Sequence, residues 1–273
     1  MNYPDAIVLG IVEGLTEFLP VSSTGHLTIA EKLLHERIDA SSVTAFTAVI
    51  QMGAIAAVII FFWGDIWRIA KAWVTGVFQP EYRGTLDHRM GWYIIVGSIP
   101  IGIVGFAAQN AIKGDLRSLW VVACALIAWS AVMLFAESRG KQERGEDGLS
   151  MRDALTMGLV QCLALIPGVS RSGSSISAGL LRGLDRVTAT RMSFFLGIPS
   201  LLAAGLYELK DVKGIGVGPT VVGTLIAFVV AYASVAWLLK FVAGHSIGKF
   251  VPYRIAVGVV LLGLLAFNVM SAT

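Results

Sequence analysis

Residues 10–26, GIVEGLTEFLPVSSTGH, and residues 158–174, GLVQCLALIPGVSRSGS, are two copies of one segment at a constant offset of 148. Gly10, Val12, Leu15, Val21, Ser22 and Gly25 recur as Gly158, Val160, Leu163, Val169, Ser170 and Gly173, while Glu13 becomes Gln161 and Thr24 becomes Ser172. Each copy is an apolar run that meets Pro, Gly and Ser before it is long enough to cross a bilayer, which takes about 20 residues. Paired, interrupted segments in matching halves of a chain point to a buried binding site. The copies diverge where chemistry would live. Glu17 stands opposite Leu165, Ser23 opposite Arg171 and His26 opposite Ser174. One arm therefore carries a carboxylate, a hydroxyl and an imidazole, and the other a guanidinium.

The composition places this pair in a membrane. The chain is 56% hydrophobic and only 14% charged, with a mean hydropathy of +0.75, whereas soluble domains carry about 25% charged residues. Met1 to Gly14 lacks a basic start and a small-residue cleavage site, so no cleavable signal is expected. A net charge of +3 is too small to argue for nucleic acid. Cys124 and Cys162, both in apolar runs, read as buried thiols without metal spacing or a disulfide role.

Six runs are long enough to span, at about 43–63, 90–109, 118–136, 190–208, 218–240 and 253–271. The two repeat segments, about 5–34 and 153–184, fit poorly as spans and read as re-entrant helical hairpins, tolerable at membrane depth only when buried in protein. The predicted fold is an all-α integral membrane protein of two inverted repeats, each one hairpin plus three spans. Residues 1–136 form the first repeat, 137–152 a solvated cytoplasmic linker and 153–273 the second. This layout puts fourteen of the 21 Lys and Arg on one face, Arg139, Arg144, Arg182 and Arg254 among them. Six (Lys32, Arg37, Lys113, Arg117, Lys210 and Lys213) fall on the other, and Arg171 alone stays inside. The positive-inside rule makes the richer face cytoplasmic, so the first hairpin opens outward and the two hairpin tips meet near the midplane.

Glu13 and Glu17 sit four apart and share one helix face among apolar neighbours. Ionisable groups in such a setting are functional by default. The pair would share a proton, face a buried cation or chelate a divalent metal. Ser22, Ser23 and Thr24 begin the returning half-helix, and Ser170, Ser172, Ser174 and Ser175 repeat the arrangement. One hydroxyl is an ordinary N-cap; a cluster at a helix N-terminus makes an anion site. Arg171 reads either as a structural partner of Glu13 or Glu17 or as a bidentate phosphate clamp. His26 reads as nucleophile, general acid, second donor or plain structural histidine. Gly10 and Gly14 suit close helix packing. Trp63, Trp67, Trp92, Trp120 and Tyr253 suit interfacial belts.

Glu13-Gly-Leu-Thr-Glu17-Phe-Leu-Pro20-Val-Ser-Ser-Thr-Gly-His26 together with Pro167-Gly-Val-Ser-Arg171-Ser-Gly resembles the signature pair of the bacterial undecaprenyl-diphosphatases, also called bacitracin-resistance proteins. The resemblance covers essentially the whole chain. It implies removal of the terminal phosphate of undecaprenyl diphosphate, recycling the carrier lipid of peptidoglycan synthesis and conferring bacitracin resistance. It also implies an inner-membrane site opening outward and a divalent cation, Mg²⁺ or Ca²⁺, on Glu13 and Glu17. By position, Glu13 and Glu17 would be the acidic pair, Ser23 and His26 the catalytic hydroxyl and imidazole, and Arg171 the phosphate-binding arginine. Ser22, Thr24, Ser170 and Ser172 would add donors to the phosphate. The sequence is compatible with a homodimer and leaves nucleophilic Ser23 and activated water both open. The competing class is transport, since an anion carrier or lipid flippase shares inverted repeats with broken helices; against it stands the uneven split of Glu17, Ser23, His26 and Arg171 between matched arms.

Overall fold

The computed structural model describes residues 1–36, 41–109, 112, 116, 118–208 and 216–272, the side chain of Ser41 excepted. The expectations attached to Arg37, Lys113, Arg117, Lys210 and Lys213 lie outside the described residues. Eleven helices of more than ten residues carry the described chain: α1 Tyr3–Thr16, α2 Ser23–Leu33, α3 Ser41–Phe61, α4 Trp63–Phe78, α5 Leu86–Ala107, α6 Leu119–Arg139, α7 Met151–Gln161, α8 Arg171–Leu181, α9 Arg186–Glu208, α10 Val217–Gly244 and α11 Val251–Ala266. Six stretches, within α3, α5, α6, α9 and α10 and over Ile247–Ala266, are long and apolar enough to span. The protein is a multi-pass membrane protein. Its exposed apolar side chains on α5 and α10, such as Ile99, Ile103, Val221, Leu225 and Val229, suit lipid.

Helices α1 and α2 form one hairpin and α7 with α8 the other, each arm too short to cross a bilayer. Asn2 caps α1, accepting from the Asp5 N–H at 2.8 Å, with Pro4 in the first turn. Ser150 and Asp153 close a capping box on α7. The side of α1 carrying Ala6, Leu9, Gly10, Glu13 and Gly14 is buried, mostly against α10. At Gly10 a Cβ would lie 2.5 Å from the Gly223 carbonyl oxygen, and Gly14 meets Ala227 and Val230 as closely. The crossing recurs in the other half, where a Cβ at Gly158 would collide with the Gly97 carbonyl. Both glycine positions admit only hydrogen, as the small-residue spacing suggested.

Two stretches between the predicted spans carry structure of their own. Residues 64–89 include a helix, α4, with Trp63 and Trp67 stacked and exposed on one face and Ile69 buried on the other. Its charges masked a helical period. The run from Glu137 to Asp147 is solvated, with no residue buried, and it is also tied down. Arg186 pairs with Glu137, whose other oxygen accepts from the Ile247 N–H, and Arg144 and Arg182 both hold Asp153. Burial works against the Asp153 charge, but hydrogen bonds from Arg144, Ser150 and Arg182 outweigh it and bring its pKa down to about 2. Of the two cysteines, both unpaired, Cys124 is exposed rather than buried.

Candidate active site

The loop of each hairpin bends at the residue before its second helix. Ser22 and Ser170 have φ of 80° and 79°, a conformation that costs non-glycine residues roughly 1–3 kcal/mol and persists only where surroundings impose it. Each serine then caps its helix, Ser22 Oγ accepting from Gly25 N–H at 3.4 Å and Ser170 Oγ from Gly173 N–H at 3.1 Å. The loops also lock each other. Gly168 N–H donates to Ser22 Oγ at 3.1 Å, and Ser172 Oγ–H donates to the Leu19 carbonyl at 2.9 Å. Gly168 itself has φ +99°, and a Cβ there would strike the Val122 carbonyl oxygen, so only glycine makes this turn.

Between the locked tips lies a cavity of about 300 Å³. Glu17, Ser22, Ser23 and Thr24 from the first hairpin and Ser170 and Arg171 from the second line it. Ser23 Oγ–H donates to Glu17 Oε2 at 2.5 Å, a charge-assisted bond at the short end of its range. The other Glu17 oxygen accepts from Arg171 Nη2 at 3.2 Å. Carboxylate, hydroxyl and guanidinium thus form one connected unit built from two segments 154 residues apart. The ion pair does not exhaust the arginine: Arg171 Nη1 donates to the Ser193 carbonyl at 3.2 Å, while its buried Nε has no partner among the described residues.

The remaining site candidates fall in different places. Glu13 is fully buried behind Glu17, and neither of its carboxylate oxygens has a hydrogen-bond partner among the described residues. Ser172 does not line the cavity; it braces the loops through Leu19 and Ser170. His26 does not line it either. Its Nδ1 lies 2.7 Å from the Ser22 carbonyl and its Nε2 2.8 Å from the Tyr253 hydroxyl. A carbonyl only accepts, so Nδ1 carries hydrogen, and a neutral ring then accepts from Tyr253 at Nε2. The geometry brings Glu17, Ser22, Ser23, Thr24, Ser170 and Arg171 together and leaves His26 holding the backbone of the cap.

Four participants escaped the sequence reading. Gln51 donates to Glu17 Oε2 at 3.3 Å, and a lone polar residue in an apolar span was the signal available for it. Tyr253 is stacked on His26 and is not merely a belt residue. Arg254, assigned above to the cytoplasmic face, is fully buried and bonds to both loops, because position near a span end says nothing about the direction of a side chain. Gly197 gave no signal at all. A Cβ there would collide with Arg171 Nη1, so Gly197→Ala is expected to push the guanidinium aside. Because the displaced atoms end a flexible side chain, the variant should fold with an almost unchanged melting temperature yet lose about 10²-fold in turnover. Wild-type turnover of Gly197→Ala would remove Arg171 from the centre.

A second cavity, of about 450 Å³, adjoins the first and shares with it Ile101, Ile112, Leu165, Arg171, Leu201 and Ala204. Its other walls include Gly102, Gly105, Phe106, Ala203 and Tyr207 from α5 and α9. The first cavity holds the charged and hydroxyl side chains, and the second is walled mainly by apolar ones.

The family model described as "Bacitracin resistance protein BacA" matches residues 6–260. A protein of Streptomyces coelicolor named undecaprenyl-diphosphatase 1 is 58% identical over 98% of this chain and 97% of its own length. Proteins of the same name from Frankia alni and Streptomyces avermitilis are each 56% identical, over 98% and 99% of this chain and 97% and 99% of their own lengths.

Proposed function

The chain belongs to the BacA family of bacitracin resistance proteins, and on that premise we infer that it is an undecaprenyl-diphosphatase, a membrane hydrolase that converts undecaprenyl diphosphate to undecaprenyl phosphate and phosphate. The observation that carries this reading is the Ser23–Glu17–Arg171 unit, which sets a hydroxyl, a base and a phosphate ligand around one cavity with an apolar annex. Recycling of the carrier lipid for cell-wall synthesis, and resistance to an antibiotic directed at that lipid, follow from the product. Pure transport is not favoured, since a carrier has no use for a hydroxyl held 2.5 Å from a buried base.

The proposed mechanism uses these residues in order. Arg171, through its unpartnered Nε and by yielding part of its bond to Glu17, takes the terminal phosphate. Ser22, Thr24, Ser170 and the N-terminal peptide groups of α2 and α8 add donors. Ser23 attacks phosphorus while Glu17 Oε2 takes its proton; undecaprenyl phosphate leaves, and water then frees the phosphate from Ser23. Positioning and charge neutralisation supply most of the rate. His26 keeps the Ser22 carbonyl, and with it the cap before Ser23, in place.

A divalent cation fits the donors present, because Glu13 offers two buried carboxylate oxygens without partners beside Glu17. Among the described residues no third His, Cys, Asp or Glu joins them. Glu13 and Glu17 would hold the ion, Mg²⁺ or Ca²⁺, which when bound would neutralise charge on the phosphate. Purified protein given a polyprenyl diphosphate is therefore expected to release phosphate and to stop when a chelator is added. Full activity in the chelator would remove the cation, and no release under any cation would remove the enzyme.

Two inverted repeats with the site opening to the outer face of a bacterial inner membrane complete the proposal. Its supports are the 148-residue recurrence of the positive-φ serines and the recurring glycine crossings, and the charge bias of the loops. With Cys124 and Cys162 replaced, a cysteine near Gly145 should be labelled only from the cytoplasm and one near Gly114 only from outside. Labelling from the reverse sides would overturn the inversion.

A further inference from the structure

Among the described residues Arg254 is the largest fully buried side chain, and no carboxylate lies within ion-pair distance of it. A buried cation without a counter-ion is stable only if dipoles replace its water. Here they do. Nη1 donates to the Pro20 carbonyl at 2.9 Å, and Nη2 to the carbonyls of Gly168 at 2.8 Å, Val169 at 3.2 Å and Leu126 at 3.4 Å. Nε donates to Ser130 Oγ at 3.1 Å, fixing the rotation of the fork.

Pro20 belongs to the first loop, and Gly168 and Val169 to the second. One guanidinium thus gathers carbonyl oxygens from both hairpins immediately before the two strained caps, Ser22 and Ser170. Those oxygens would repel one another without a cation between them. Peptide units are planar and trans, so turning the Val169 carbonyl toward Arg254 turns the Ser170 N–H the opposite way. Ser170 and Arg171 line the cavity.

We propose that Arg254, which does not line the reaction cavity, is a positioning residue for the phosphate-binding centre. It holds the carbonyls of both loops on the rear side, so that the N-termini of α2 and α8, with Ser23 and Arg171, stay in register across the cavity. Its uncompensated charge also draws an anion to that cavity. The role in turnover rests on the diphosphatase reading; the role in anion binding does not. Lysine cannot replace it, because one ammonium has no planar fork to span carbonyls from two loops.

The test uses the full chain in detergent, as wild type, Arg254→Lys and Ser130→Ala, with three readouts. These are melting temperature, kcat and KM on a polyprenyl diphosphate, and the dissociation constant of inorganic diphosphate by calorimetry. Arg254→Lys is expected to remain folded, with kcat lower by about 10²-fold, the cost of a misplacement near 1 Å, and diphosphate binding at least roughly tenfold weaker by the loss of shaped anion recognition. A merely structural arginine would lower the melting temperature and leave kcat per folded molecule and diphosphate affinity as in wild type; that result overturns the proposal. If Arg254→Lys yields no folded protein, Ser130→Ala decides. Released from Nε, the fork can rotate; the orphaned donor lowers the melting temperature somewhat, and kcat per folded molecule should fall at least about threefold, while kcat per folded molecule within twofold of wild type overturns the proposal. Should wild type itself release no phosphate, the diphosphatase reading fails. Calorimetry on the same variants then decides the proposal without turnover.

Discussion

Replacing Arg171 with lysine is expected to lower kcat/KM by roughly 10²- to 10³-fold, the scale of losing one preorganised donor to a developing charge, in a protein that still folds and inserts. Lysine keeps the charge and would still reach Glu17, so the ion pair at 3.2 Å survives in some form. What it loses is the fork. In wild type one nitrogen of the fork holds Glu17, another holds the Ser193 carbonyl, and Nε is buried without a partner. A single ammonium cannot keep both protein contacts and still present a donor to phosphate. If Arg171 were only the counter-ion of Glu17, lysine would be nearly neutral in rate. Near-wild-type kcat/KM in Arg171→Lys, measured on protein of matched melting temperature, would make the arginine structural and place the clamp elsewhere.

Ser23→Ala should have the larger effect. Loss of a covalent nucleophile costs as much as about 10⁶-fold in well-studied hydrolases. Loss of a hydroxyl that merely donates to Glu17 or orients water would cost about 10²- to 10³-fold. The 2.5 Å bond from Ser23 Oγ to Glu17 Oε2 puts proton donor and acceptor already in contact, which favours the covalent route. Ser23→Thr keeps the hydroxyl but adds χ1 restriction at the first turn of α2, and a fraction of the activity should persist. Equal losses for Ala and Thr would mean that the added methyl carries the threonine hydroxyl out of reach of Glu17.

Much of the fold was legible because the membrane restricts what a chain can do. Apolar length gave the six spans, and interrupted length gave the two hairpins. The duplicated segment gave the residues that meet, and chemistry at its divergent positions gave Glu17, Ser23 and Arg171. Direction was the weaker part. Glu13 and Glu17 share a helix face, yet only Glu17, at the end of α1, lines the cavity, while Glu13 one turn earlier is fully buried. His26 belongs to the motif, but its ring leans back to the Ser22 carbonyl and Tyr253, a contact across 227 residues that no local pattern encodes. Arg254 was counted with the cytoplasmic charges by position alone and proved to be wholly interior. Gly197 matters through what stands against it, and a glycine without a positive φ or a motif carries no mark of its neighbour.

The most direct measurement is rapid-quench sampling of the purified protein mixed with a polyprenyl diphosphate labelled in its terminal phosphate. The expected result is transient label on the peptide containing Ser23, followed by its appearance in free phosphate, with both signals absent in Ser23→Ala. Label that stays in the lipid would contradict the assignment of hydrolysis to this cavity. Label released without passing through protein, while Ser23→Ala keeps turning over, would contradict the covalent route and leave Glu17 acting on water.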